Sequence, residues 1–125
     1  MTINKHESLV HFGKKDIPSS PLDPNAYYEA SDDSFPAIDS FSVQGMFQIT
    51  VAQEHPIRGI QILRSICALF SEPKLYFVVP SHRFERFKKQ KFLATKDNSV
   101  AEQIDGLKQF VVELPVLDRM INKFQ

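Results

Sequence analysis

Two short runs in the centre of the chain alternate between apolar and polar residues. Residues 35–42 and 46–52 each alternate with a period of two, and Gly45 lies between them. Alternation of this kind, with aromatic and β-branched residues around a short turn, is typical of a β-hairpin. In the second run Gln48 and Thr50 fall on the same face, because alternate side chains of a strand point to the same side. The pattern predicts a hairpin with a polar pair on its second strand.

The next segment changes to the spacing of an amphipathic helix. Its apolar residues recur at steps of three and four: Ile57, Ile60, Leu63, Cys67 and Phe70. This spacing predicts a helix with a wide buried stripe. Pro56 suits the first turn, and Pro73 lies just beyond the end. Residues 74–80 then form a continuous apolar run, which is typical of a strand covered on both faces.

Three further elements are predicted after this strand. Ser81 is a suitable N-cap for a basic helix over residues 81–92. Residues 107–114 alternate like a strand, and residues 116–125 have the pattern of a terminal helix. Strand–helix–strand units favour a mixed sheet with helices packed on it. The expected fold class is therefore α/β, with a mixed β-sheet and flanking helices.

The first 34 residues are polar and contain Pro18, Pro21 and Pro24. Proline lacks an N–H donor and restricts the residue before it, so this stretch cannot hold a helix. Residues 8–12 are its one piece that suits a strand. We expect an extended arm over residues 1–34 and one domain over residues 35–125, because 125 residues suit a single domain.

Charge is distributed unevenly along the chain. The formal net charge is zero, but residues 1–56 carry a net charge of −5 and residues 57–125 a net charge of +5. The basic half can bind phosphate groups, whereas the acidic half argues against binding of nucleic acid along the whole chain. Cys67 is the one cysteine, so no internal disulfide forms. With no signal-peptide pattern and no apolar run of membrane-spanning length, we expect an intracellular protein, the nucleus included.

Three short motifs are more specific than the element pattern. They are PAID at 36–39, FQIT at 47–50 followed by HPI at 55–57, and LYFVVP at 75–80. On these motifs the chain resembles the C-terminal restriction-endonuclease-like domain of Crinkler and retrotransposon-hot-spot-type proteins, over about residues 27–114. The resemblance implies a PD-(D/E)XK-type nuclease fold. In that fold a hairpin carries an Asp and a Glu that bind a divalent metal, and a Lys that stabilises charge in the transition state.

Carried over residue by residue, the resemblance implies an incomplete active site. Asp39 takes the position of the first metal ligand, Gln48 that of the second, and Thr50 that of the catalytic lysine. The implied cofactor is Mg²⁺, but Mg²⁺ prefers carboxylates to an amide oxygen, and Thr50 carries no positive charge. Related proteins also carry an acidic helix upstream and often an NTPase domain. No such helix and no GxxxxGK[ST] loop are found here, so the chain resembles a copy truncated at its N-terminus.

A cluster of cations follows the LYFVVP motif. Five of them could track a nucleic-acid backbone: Arg83, Arg86, Lys88, Lys89 and Lys91. The interleaved Phe84, Phe87 and Phe92 have the spacing of a helix that packs onto a sheet, not of bases stacked in turn. The alternative for the cations is a solvated basic face.

Two other residues, His55 and Cys67, have side chains that could take part in chemistry. His55 could move a proton or bind a ligand near the hairpin, but a histidine before a proline is more commonly a packing residue. Cys67 lies on the buried stripe of the predicted helix, so we expect a core residue and not a nucleophile.

Three functions stay open from the sequence. The first is a degenerate nuclease-fold module that contacts nucleic acid or a host protein as an effector. The second is an active Mg²⁺-dependent DNA endonuclease with Asp39 as its main ligand. The third is a transposon-derived fragment without retained activity.

Overall fold

The computed structural model describes residues 8–32, 35–93 and 104–114. Its centre is a six-stranded mixed sheet in which the strands are ordered as they occur in the chain. The strands are β1 Ser8–Phe12, β2 Ala26–Ala30, β3 Ser40–Ser42, β4 Gly45–Ile49, β5 Lys74–Val79 and β6 Lys108–Glu113. Helix α1 is Ile60–Cys67, and helix α2 is Ser81–Phe84. None of the helices in these described ranges could span a membrane.

The strand directions place the carboxyl ends of five strands at the same edge of the sheet. Strands β1 and β2 are parallel, β3 is antiparallel to both of its neighbours, and β4, β5 and β6 are parallel. Five strands therefore share one direction, and β3 alone runs the other way. Their carboxyl ends and the amino end of β3 lie along one edge. We call it the upper edge, defined by Phe12, Ala30, Ser40, Ile49, Val79 and Glu113.

The mixed α/β sheet expected from the sequence is confirmed, together with strands β1, β5 and β6. The hairpin β3–β4 is present as well, but its strands are shorter than the predicted runs 35–42 and 46–52. Strand β2 was not predicted. It lies in the segment expected to be an extended arm, between β1 and β3. The run AYYEA is too short to show an alternating pattern, so it forms a strand only because it pairs with β1 and β3 on its two sides. Both β1 and β2 therefore belong to the sheet.

Helix α1 begins later than the sequence predicts. It starts at Ile60 rather than near Pro56. Ile57 instead forms an isolated parallel bridge with Phe92, and Gly59 adopts a φ of 66° before the first helical residue. The long-range bridge therefore replaces the first predicted turn of the helix.

Helix α2 is much shorter than predicted, and it ends at Phe84 instead of near residue 92. The downstream backbone pairs with the residues before α1. The Ile57 N–H donates to the Lys91 carbonyl at 2.7 Å, and the Leu93 N–H donates to the Ile57 carbonyl at 2.8 Å. The Ser81 N-cap prediction is wrong as well, because Pro80 holds the cap position and no side chain bonds there. The predicted terminal helix over 116–125 lies outside the described residues.

The main core lies on the face of the sheet that α1 covers. It is formed by buried side chains of the strands and of α1: Phe12, Phe41, Met46, Leu63, Ile66, Leu75 and Phe77. The opposite face holds a smaller cluster, formed by Phe47, Tyr76 and Val78. Cys67 is a core residue, as predicted, and burial raises the pKa of its thiol to about 11. A protonated, buried thiol is not a nucleophile.

We expect Gly59→Ala to destabilise the protein more than Gly106→Ala. Both glycines have positive φ, 66° and 79°, so each alanine incurs a left-handed backbone cost of about 1–2 kcal/mol. At Gly59 a Cβ would also lie 2.5 Å from Pro36 Cβ, whereas at Gly106 no atom of the described residues lies within 4 Å of that position. Denaturant unfolding measures the difference. If both variants lose the same free energy of unfolding, the packing of Gly59 on Pro36 is contradicted.

Candidate functional site

The upper edge brings together the three hairpin residues singled out from the sequence. Asp39 directly precedes β3, Gln48 lies in β4, and Thr50 directly follows β4. Gln48 and Thr50 are buried. The Asp39 N–H donates to the Phe47 carbonyl at 2.8 Å, which joins the start of β3 to the strand of Gln48. The three residues therefore lie at one corner of the sheet.

The Asp39 carboxylate has a structural bond in this corner. Its Oδ2 accepts a hydrogen bond from the Ile49 N–H at 2.7 Å. The Asp39 carbonyl accepts another from the Ala30 N–H at 3.0 Å. Asp39 thus joins β2, β3 and β4 and satisfies a backbone donor at the end of β4.

Gln48 and Thr50 make local hydrogen bonds. Gln48 Nε2 donates to the Ile49 carbonyl at 3.3 Å, and Thr50 Oγ1 accepts from the Ala52 N–H at 3.1 Å. The Thr50 N–H donates to the Val78 carbonyl at 3.0 Å, which continues the pairing of β4 with β5. Neither side chain carries charge, so Asp39 is the one ionic group among the three.

A cavity of about 280 Å³ beside Asp39 is lined by further acidic residues. Glu29 comes from β2, and Asp32 follows its end. Sequence analysis missed both because it did not predict β2. Among the described residues no three His, Cys, Asp or Glu side chains form a group that could hold a metal ion. The three carboxylates thus share a cavity without forming an assembled metal centre.

His55 packs its ring beside the main core. The ring meets Phe77 edge-on, with centroids 6.3 Å apart. Burial lowers the pKa of His55 below its usual 6.5, and the Asp39 carboxylate opposes this with a smaller effect. Its backbone N–H donates to Gln90 Oε1 at 2.5 Å. His55 therefore contributes a neutral ring at pH 7 and a backbone contact to the basic segment.

A second cavity, of about 750 Å³, lies between the loop 51–57 and the segment 83–93. We call it the basic groove. Its charged lining residues are Glu54, Arg83, Glu85, Arg86, Lys88, Lys89 and Lys91. Five cations and two carboxylates give the lining a net charge of +3. All five cations predicted to contact nucleic acid thus line one concave surface, while His82 is an exposed residue of α2.

The buried side chain of Gln90 holds the basic segment in place. Its Oε1 accepts from the His55 N–H, and its Nε2 donates to the Lys88 carbonyl at 2.6 Å. The Gln90 backbone is held as well, because its N–H donates to Gln109 Oε1 at 2.7 Å and its carbonyl accepts from Gln109 Nε2 at 3.0 Å. Gln90 thus connects the loop after β4 with β6.

Sequence analysis missed Gln90 because a glutamine within the predicted basic helix gives no signal of burial. It expected the interleaved phenylalanines to pack rather than to stack on bases, and Phe87 and Phe92 lie in the main core. The segment 85–93 therefore buries its apolar side chains and keeps Lys88, Lys89 and Lys91 exposed.

Comparison of the chain with protein-family models, with curated proteins and with solved structures finds no match. Its function is therefore inferred from its residues and its fold.

We expect His55→Gln to flatten the pH dependence of stability below pH 7. A folded-state pKa below the unfolded value of about 6.5 means that the unfolded chain binds more protons in this range. The stability contribution is therefore complete above about pH 6.5 and is lost as the pH falls toward the folded pKa. Urea unfolding from pH 7.5 to pH 5 measures it, with exposed His82→Gln as the control. A wild type and a His55→Gln variant that lose stability in parallel would show that His55 is not responsible.

Proposed function

We propose that this chain is a Crinkler-type nuclease-fold module, degenerate at its catalytic positions, that binds nucleic acid through the basic groove as an effector. The observation that carries the proposal is the position of the groove. Its loop 51–57 is the direct continuation of β4, and the groove cation Arg83 bonds to the Val51 carbonyl, so one end of the groove adjoins the corner that holds Asp39, Gln48 and Thr50.

The strand arrangement supports a nuclease-type fold. Hairpin β3–β4, helix α1 and the parallel strand β5 follow one another in the order that the resemblance implies. The polar residues of the hairpin lie where its strands meet the upper edge. In open α/β sheets, ligands bind outside the carboxyl ends of the strands.

The chemistry of the corner supports a degenerate site. Hydrolysis of a phosphodiester by this type of site uses two metal-binding carboxylates and a cation. Gln48 and Thr50 are neutral, and one oxygen of Asp39 already bonds to the Ile49 N–H. These residues therefore support binding of nucleic acid more than they support hydrolysis of a phosphodiester.

The groove has the properties of a phosphate-backbone site. It is concave, its net charge is positive, and Arg86, Lys88 and Lys91 are exposed. Cations of this kind attract nucleic acid without reading its sequence, and the attraction weakens as salt rises. Because Gln90 fixes the segment that carries them, the cations are held on one surface instead of on a mobile tail.

We expect the double variant Lys88→Gln/Lys91→Gln to bind a duplex oligonucleotide more weakly than the wild type. Loss of two phosphate contacts makes the slope of log K against log salt concentration shallower by about 2. The matched control is Lys14→Gln/Lys15→Gln, which removes the same charge from the exposed turn after β1. Fluorescence anisotropy at several salt concentrations gives both slopes.

Equal slopes in both double variants would reject the groove as the nucleic-acid site. If the wild type binds an oligonucleotide with no salt dependence, or does not bind one, the proposed function fails. The effector hypothesis names two kinds of partner, nucleic acid and a host protein. If nucleic acid is rejected, a host protein is the partner that remains.

An active Mg²⁺-dependent endonuclease is a second candidate, because Glu29 and Asp32 line the same cavity as Asp39. Carboxylate oxygens are the ligands that Mg²⁺ prefers, and a bound Mg²⁺ would polarise the phosphodiester. The metal would have to draw these carboxylates together, since the described residues hold no assembled group. Asp39 would remain the main ligand.

A plasmid incubated with Mg²⁺ or Mn²⁺ distinguishes the two candidates. The degenerate module leaves the plasmid intact, whereas the active enzyme cleaves it and loses that cleavage in Asp39→Asn. Asparagine keeps an oxygen that can accept from the Ile49 N–H, so the corner retains its backbone bond. Asp105→Asn, at an exposed turn, is the control. Equal cleavage by wild type and Asp39→Asn would exclude a catalytic role for Asp39.

A further inference from the structure

The five cations of the basic groove differ in how far they are exposed to solvent. Arg86, Lys88, Lys89 and Lys91 are exposed, whereas Arg83 is partly buried. Arg83 Nε donates a hydrogen bond to the Val51 carbonyl at 3.1 Å. This bond fixes the plane of the guanidinium against the loop that leaves β4. Arg83 therefore offers a guanidinium held in one orientation by the backbone of the loop after β4.

The fixed guanidinium retains donors for a ligand. Of its five N–H groups, the one on Nε bonds to Val51, and the other four are on Nη1 and Nη2. Two parallel N–H groups in this planar fork match two oxygens of a phosphate. A lysine at the same place would supply charge without the fork.

A second donor lines the same groove two residues beyond Val51. Gln53 Nε2 is a buried atom with no hydrogen-bond partner in the described part of the chain. An unpaired buried donor is unfavourable, so natural proteins rarely leave one without an acceptor. Gln53 lines the groove, and the terminal torsion of glutamine is soft enough for its NH₂ group to adjust to a ligand. An anion oxygen there would satisfy it.

We propose that Arg83 and Gln53 form a discrete subsite for one phosphate group at the hairpin end of the basic groove. The subsite rests on the proposed nucleic-acid function, and its ligand there is one phosphodiester of the bound strand. The exposed cations contact neighbouring phosphates along the groove. Arg83 thus fixes where the strand passes the corner of Asp39, and the lysines supply the salt-dependent attraction.

The first test keeps the charge at residue 83 and removes the fork. Arg83→Lys lowers oligonucleotide affinity about tenfold, because the loss of bidentate geometry is not replaced by charge. The matched control is Arg64→Lys, at an exposed arginine of α1 outside the groove, and it leaves affinity within about twofold. Thermal unfolding of both variants checks that the fold is retained. Equal affinities for Arg83→Lys and Arg64→Lys would overturn the subsite while leaving the salt-dependent binding of the wild type intact.

The second test changes Gln53 without altering its size. Gln53→Glu places a carboxylate against the phosphate and lowers affinity more than Gln61→Glu, which adds the same charge on the exposed side of α1. If the two variants bind alike, Gln53 is not part of the subsite.

Inorganic phosphate separates the subsite from the function on which it rests. Added phosphate perturbs the Arg83 and Gln53 signals in NMR spectra of the full chain, and Arg83→Lys removes the effect. If phosphate acts there but no oligonucleotide binds, the subsite takes free phosphate and the nucleic-acid function fails. If neither ligand perturbs these residues, both proposals fail.

Discussion

The position of the basic groove depends on the hydrogen bonds of one buried side chain, Gln90. A buried amide must find partners, because an unsatisfied polar group in the interior costs about 1–3 kcal/mol. Gln90 finds them in the His55 N–H and the Lys88 carbonyl, and Gln109 pairs with its backbone. These bonds hold the lysine-bearing segment against the loop after β4. Together with the backbone pairing of Ile57 with Lys91 and Leu93, they draw the segment 85–93 away from the helical path that its sequence favours.

Strand direction explains why this loop is at the centre of the candidate site. Strand β3 alone runs opposite to the other five, so its start meets the ends of β2 and β4. Asp39 lies at that meeting point and bonds to the backbone of both neighbours. The chain leaving β4 then contacts Arg83, whose Nε donates to the Val51 carbonyl. One reversal of strand direction thus places an acidic cavity and a basic groove at neighbouring positions on the upper edge.

Elements with a strong local period could be predicted from the sequence. The hairpin, β5 and β6 carry alternating or continuously apolar runs of strand length, so neighbouring residues alone determine their type. Strand β2 could not be predicted, because AYYEA becomes a strand only by pairing with β1 and β3. Helix α2 was predicted too long for a similar reason. Its downstream residues bond to the distant residues 55–57, and tertiary contacts of this kind override local propensity.

The candidate site shows the same division. The five cations could be named from the charge pattern along the chain, whereas Asp39, Gln48 and Thr50 were named through the resemblance, and their roles stay a prediction. Gln53 and Gln90 could not be named, since a glutamine gains its role only from burial and from what surrounds it. Glu29 and Asp32 were missed with the strand that carries them. The geometry of the groove is therefore a product of long-range pairing.

The most direct measurement is an NMR titration of the isotope-labelled full chain with a short oligonucleotide. The account predicts that amide signals change at residues 51–57 and 81–93, with Arg83 and the His55 amide among them. Signals of Tyr76 and Val112, on the face away from the main core, stay unchanged. Changes confined to that opposite face, or no change at concentrations well above the expected dissociation constant, would contradict a nucleic-acid site in the basic groove.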